Sequence, residues 1–145
     1  MAKPDLIRLA RINVEAYNAS DWQQLRDVLT PDVVYDEVGT QRRVVGADQM
    51  IGVYQGWKQV APDGHGTITK AFASGNSVTL EVIWTGTQTG PLAVSEPAVP
   101  PSGRQWVVPG AQVIHFEGEK IKELKQYFDM MTLLKHIGVE STPGQ

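Results

Sequence analysis

The stretch from Ala111 to Gly138, AQVIHFEGEKIKELKQYFDMMTLLKHIG, restricts the fold more than any other part of this chain. Two runs of strand character meet at Glu117-Gly118-Glu119, a turn that suits an antiparallel hairpin. The second run carries Tyr127 and Asp129 and leads into a short helix rich in Leu and Met. An aspartate that closes an apolar strand is desolvated when the sheet packs. Desolvation raises a carboxyl's pKa toward the range useful for proton transfer. Asp129 is therefore the first candidate for a catalytic acid or base.

The rest of the chain supplies what such a hairpin packs against. Pro4 suits a first helical turn, and Ile7, Ala10, Val14 and Tyr17 then recur at helical spacing. Asn18-Ala19-Ser20 ends this helix, and Ser20 with Gln23 forms a capping-box pattern for a second, short helix through Leu29. Thr30-Pro31-Asp32 breaks the chain before a strand over Val33 to Val38. Gly46 precedes a third helix with Met50, Val53 or Tyr54, and Trp57 on one face, and Pro62-Asp63-Gly64 stops it. Strands are expected at Gly66 to Ala73, Ser77 to Thr89, Arg104 to Phe116 and Lys120 to Phe128. Pro109-Gly110 suggests a bulge within the third of these. The proline-rich run from Gly90 to Gly103 reads as a long loop, and a rim or lid over a pocket is the role that suits it. Its PxxP match at Pro97 to Pro100 is weak evidence for an SH3-type partner. Helices followed by consecutive antiparallel strands indicate an α+β fold with the helices on one face of a curved sheet.

Composition narrows the function classes. A chain of 145 residues with an ordinary apolar content suits one domain over residues 1–145 with a sizeable core. A net charge of −3, with Lys and Arg scattered, gives no footprint for nucleic acid. There is no cysteine, so thiolate nucleophiles and thiolate metal sites are excluded. The three histidines, His65, His115 and His136, lack metal-binding spacing, so no metal and no cofactor is expected. No apolar run approaches the ~20 residues of a membrane span. The N-terminus lacks a signal-peptide core, so a soluble cytoplasmic protein is the expectation.

Ala16-Tyr17-Asn18 with Asp21-Trp22 and Leu25 is followed by Pro31-Asp32-Val33-Val34-Tyr35, then by Pro100-Pro101-Ser102-Gly103-Arg104 and Val108-Pro109-Gly110-Ala111. Tyr127-x-Asp129 leading to Leu133-Leu134 and Ile137-Gly138 closes the series. Together with the order of elements, these motifs carry a resemblance to the SnoaL-like polyketide cyclase and ester cyclase family, within the nuclear transport factor 2-like superfamily of cystatin-like α+β cones. The resemblance spans nearly the whole chain and implies one domain, three N-terminal helices against a curved antiparallel sheet, and frequent homodimers. It also implies that the aspartate of the last strand is the general acid/base of an aldol-type ring closure, a position matched by Asp129. An assisting histidine on the preceding strand is matched by His115. The tail departs from the family's usual Gln-Leu-Gly, reading His136-Ile137-Gly138. Isomerases, epoxide hydrolases and binding modules share the fold, so kinship alone does not fix the reaction.

The residues can be assigned roles on this basis. Asp129 would move the proton, His115 would polarise a carbonyl, and Tyr127 would orient the pair. Asp129 is equally a favoured N-cap for a helix starting at Met130, and the two roles can coexist. Tyr17, Tyr35, Trp57, Trp84 and Trp106 are the candidate walls of an apolar pocket for a small hydrophobic carbonyl ligand. Tyr35 and Glu37 share one strand face and Asp36 takes the other, with either face free to point inward. The rival readings are a ketosteroid-type isomerase and a carrier of a small apolar ligand. In a homodimer, either Thr79, Glu81, Ile83 and Thr85 or the opposite face, Val78, Leu80, Val82 and Trp84, would supply the surface.

Overall fold

The computed structural model describes residues 5–94 and 97–139. Pro4 lies outside them. The first helix, α1 (Leu6–Ala19), begins at Asp5, whose carboxylate accepts from the Arg8 backbone N–H at 3.1 Å. It ends at Ser20, which takes a left-handed conformation with φ 53° and returns its N–H to the carbonyl of Tyr17. That conformation overturns the capping box expected at Ser20. Committed to closing α1, Ser20 leaves Asp21 to cap α2 (Trp22–Asp27) through the Gln24 N–H.

Strand β1 (Leu29–Glu37) runs through Pro31, where a break was expected. Its register against β6 (Lys120–Phe128) shifts between Leu29 and Val34. This irregularity accommodates a residue that cannot donate to the ladder. A 3₁₀ turn, Val38–Thr40, leads to β2 (Arg42–Val45), a short edge strand with both arginines exposed. After α3 (Ala47–Val60) come β3 (His65–Ser74), β4 (Ser77–Thr87) and β5 (Gln105–Glu117), and α4 (Met130–His136) follows β6. The sheet order is β2-β1-β6-β5-β4-β3, an open sheet antiparallel throughout except for the parallel pair β1–β6. The mixed α+β architecture agrees with the fold class expected from the sequence.

No bulge forms at Pro109-Gly110, where one was expected. The β4–β5 register is unbroken across Ile83↔Pro109 and Val82↔Gly110. The β6 ladder ends opposite Gly110, so Pro109 needs no partner on that side. Gly110 is required for a different reason. A Cβ there would stand 2.6 Å from the Tyr127 carbonyl oxygen and 3.1 Å from the Trp84 indole nitrogen, which lies over the bare backbone. Gly110→Ala is expected to destabilise the protein by about 1–3 kcal/mol, the range for overpacking. A lowered midpoint of urea unfolding at unchanged slope would register it.

Two apolar clusters fill the interior. The larger packs α1 and α3 against the inner face of the sheet, including Val78, Leu80, Val82, Ile114 and Leu124. Inward-facing Val78 and Leu80 leave Thr79 and Glu81 on the outer face. The smaller cluster joins Trp106 and Val108 to Leu133 and Ile137 of the C-terminal helix region and to Leu92 of the long loop. Trp57 packs against both.

The loop after β4 is pinned internally. Leu92 and Val99 bridge by paired backbone hydrogen bonds of 2.9 and 2.8 Å. Fully buried Gln88 donates to the carbonyls of Val99 and Pro100 and accepts from the Ser102 N–H. The PxxP segment is thereby folded back on the molecule. Among the described residues no helix is long and apolar enough to cross a membrane.

Candidate functional site

Where the two clusters meet, aromatic side chains from six elements converge. Tyr17 comes from α1, Tyr35 from β1, Tyr54 and Trp57 from α3, Trp84 from β4, Trp106 from β5 and Phe128 from β6. They meet edge to face, Tyr17 against Tyr54 at 5.7 Å and against Trp84 at 5.6 Å, and Trp57 against Trp106 at 6.2 Å and Phe128 at 5.9 Å. Rings prefer this arrangement because the positive edge of one meets the negative face of the next. They enclose a cavity of about 50 Å³. Small-molecule sites run to roughly 300–1,000 Å³, so a ligand enters only as rings move aside. Tyr17, Tyr35, Trp57, Trp84 and Trp106, the five residues named from sequence as pocket walls, all border this space.

Strand alternation on β1 turns Tyr35 and Glu37 inward, which decides the question the sequence left open. Glu37 is 1 % exposed and lies on the cavity wall. Four donors hold its carboxylate. Oε1 accepts from Thr40 Oγ1 at 2.7 Å and from the Arg42 guanidinium at 2.9 Å. Oε2 accepts from the Tyr35 hydroxyl at 2.6 Å and from Trp57 Nε1 at 3.0 Å. Two lone pairs per oxygen make four positions, and four donors fill them. A charge this deeply buried survives only when paired and hydrogen-bonded, and Arg42 and the three neutral donors do both.

The tyrosines stay protonated. Burial pushes the Tyr35 hydroxyl well above its ordinary pKa, and the adjacent Glu37 charge pushes it further. Tyr54 and Tyr17 are raised first by burial as well. Tyr54 donates to Asn13 Oδ1 at 2.8 Å, and Asn13 in turn donates to Gln112 Oε1 at 3.0 Å, both of them fully buried. This network fixes the Tyr54 ring from behind. On the sheet side of the cavity, two buried polar atoms have no hydrogen-bond partner: Trp84 Nε1 and Gln126 Oε1.

Asp129, His115 and Tyr127 lie elsewhere. Asp129 is exposed and caps α4, accepting from the Thr132 N–H at 3.0 Å and the Thr132 hydroxyl at 2.6 Å. These bonds hold its pKa below the usual carboxyl value, the reverse of the rise expected from desolvation. His115 projects from the outer face, 48 % exposed, with Nδ1 at 2.7 Å from Ser77 Oγ and Nε2 at 3.9 Å from Glu123. Tyr127, 42 % exposed, borders a shallow groove on that outer face with Ile83 and Pro109. The inward residues of the last strand are Ile121 and, beyond a register shift, Leu124, Gln126 and Phe128. Among the described residues no group of three or more His, Cys, Asp or Glu could hold a metal ion.

The Asp129 cap has a pH signature. Its folded pKa is depressed, so its stabilisation is fully present above the unfolded value near 4 and is lost as pH falls through the lower folded value. Comparing wild type with Asp129→Asn by thermal melts from pH 7 to pH 2, the gap between them is expected to hold down to about pH 4 and then close. A gap that widens below pH 4 would contradict this sign.

A family model described as SnoaL-like polyketide cyclase matches residues 7–137. No curated protein matches the chain. Among solved structures, a SnoaL-like protein from Jannaschia sp. CCS1 superimposes with a TM-score of 0.83 at 18 % identity, covering 97 % of this chain and 99 % of its own. IdmH from Streptomyces antibioticus gives 0.80 at 22 % identity, with 94 % and 100 % covered. A protein of ketosteroid isomerase-like fold from Catenulispora acidiphila gives 0.79 at 22 %, with 98 % and 100 % covered. At these identities the structural likeness is one of fold.

Proposed function

The chain belongs to the SnoaL-like polyketide cyclase family, and from that premise we propose that it is a proton-transfer enzyme acting on a small apolar carbonyl compound, with Glu37 as its base. The observation that carries this reading is the Glu37 carboxylate, wholly buried yet standing on the wall of an aromatic cavity. Glu37 would take a proton from the carbon next to the substrate carbonyl, and the C–H electron pair would pass into the carbonyl to give an enolate. Attack of the enolate carbon on a second carbonyl closes a ring and gives an alkoxide, which takes the proton back from Glu37, whereas return of the proton at a different carbon moves a double bond. Cyclase and isomerase therefore share the first step.

All four acceptor positions of the carboxylate are filled, so one donor must yield before it can accept a proton. Trp57 is that donor. Its indole borders the cavity, is only partly buried and makes the longest of the four bonds. A substrate that pushes the Trp57 ring aside would enlarge the space and uncover Oε2 in one movement.

The experiment is proton–deuterium exchange, followed by NMR in D₂O, at the activated carbons of a panel of β-keto esters and ketosteroids. Wild type, Glu37→Gln and Asp129→Asn are compared. Exchange lost in Glu37→Gln and kept in Asp129→Asn supports the proposal. Loss in Asp129→Asn alone would return the role to the last strand, and ligand binding without exchange in wild type would favour a carrier.

A further inference from the structure

We infer that Gln126 and Trp84 select the ligand, requiring one that offers a hydroxyl hydrogen to the Gln126 carboxamide and a carbonyl oxygen to the Trp84 indole N–H. The inference rests on the proposed function only in taking the same cavity as the substrate site. Gln126 is 8 % exposed, and its Oε1 is buried with no hydrogen-bond partner among the described residues. Trp84 Nε1 is likewise buried and unpaired. Native interiors leave few such groups, because each buried donor or acceptor without a partner forfeits its hydration for nothing in return. Thr30 Oγ1 and Gln112 Nε2 are also buried without a partner but do not border the cavity, whereas these two stand on one wall of it and point to a partner that arrives from outside.

Their placement makes a single ligand able to serve both. Trp84 sits on β4 opposite Val108, and its indole nitrogen reaches across to lie over Gly110. Gln126 on β6 pairs with Gln112, the next inward position of β5 after Gly110. The Trp84 indole nitrogen, held over Gly110, thus lies diagonal to Gln126 across the β5–β6 pair, and diagonal positions lie about 7–8 Å apart, within reach of long side chains. A single ring carrying a carbonyl and a hydroxyl at non-adjacent positions spans such a gap. The ligand class is a hydroxylated aryl or enolised ketone. Beside Gln126, at the paired position on β1 and on the same inner sheet face, stands the Glu37 carboxylate, with no free donor to offer.

Isothermal titration calorimetry with four one-ring probes tests this: 3-hydroxyacetophenone, acetophenone, 3-methylphenol and ethylbenzene. Wild type is expected to bind 3-hydroxyacetophenone about tenfold more tightly than acetophenone, and acetophenone about tenfold more tightly than ethylbenzene, the effect of one hydrogen bond each. Gln126→Met keeps the volume and should abolish the preference for the hydroxyl. Trp84→Phe removes the N–H, keeps an aromatic ring, and should abolish the preference for the carbonyl. Equal affinity for all four probes in wild type would overturn the inference, as would either preference surviving its variant. Should Gln126→Met fail to fold, Trp84→Phe decides alone. Binding is read without turnover, so a protein that selects these probes but exchanges no protons refutes the catalytic proposal and leaves this inference standing.

Discussion

Replacing Glu37 with glutamine is expected to lower proton exchange by about 10²–10⁴-fold, the usual contribution of a positioned general base. The substitution conserves volume and removes the charge, so the cavity keeps its shape. Its amide nitrogen meets donors where the carboxylate met them. The Tyr35 and Thr40 hydroxyls can rotate to accept, whereas Arg42 and Trp57 cannot. The variant should therefore fold with reduced stability, and circular dichroism run beside the exchange assay separates lost chemistry from lost structure. Exchange undiminished in a folded Glu37→Gln protein would remove Glu37 from the mechanism.

The largest expected effect on stability falls at Trp106. Its side chain is 4 % exposed and packs edge-on to Trp57. It also lies over Gly86, where a Cβ would stand 2.8 Å from the ring. It belongs to the cluster that holds α4 and the loop after β4 against the sheet. Trp106→Ala is expected to cost about 3–5 kcal/mol, as large-to-small core substitutions do. A protein of this size has a total stability of about 5–15 kcal/mol, so the loss should be plain in urea unfolding at 25 °C. A change under about 1 kcal/mol would mean that the second cluster is dispensable to the fold.

The fold was largely legible because helical spacing at Ile7, Ala10, Val14 and Tyr17, and the turns at Gly75 and Gly118, are local signals. The aromatic walls were legible for a related reason: helix faces and the wide inward side of a bent sheet are where large rings must go. The choice of catalytic residue depended on strand parity, and there a local rule met a non-local irregularity. Ile121 pairs with Phe116 and both are buried, so strict alternation from Ile121 would send Glu123, Lys125 and Tyr127 inward as well. The register shift between His115 and Phe116 breaks that parity and turns Leu124, Gln126 and Phe128 inward instead. Nothing in composition marks this shift. The charges at Glu123 and Lys125 were the available hint, since both would have been buried by the simpler reading. Glu37 was visible as one polar group among three, but its fourfold coordination joins residues 35, 40, 42 and 57, a juxtaposition that only the folded chain displays.

Three of the four tryptophans, Trp57, Trp84 and Trp106, border the cavity, whereas Trp22 lies at the start of α2. The protein therefore carries its own optical reporter. A ligand that displaces the Trp57 ring breaks the bond from its indole N–H to Glu37 and alters its edge-on contacts with Trp106 and Phe128. Occupancy of the site would thus shift the emission of the native chain, without any label, against the steady background of Trp22.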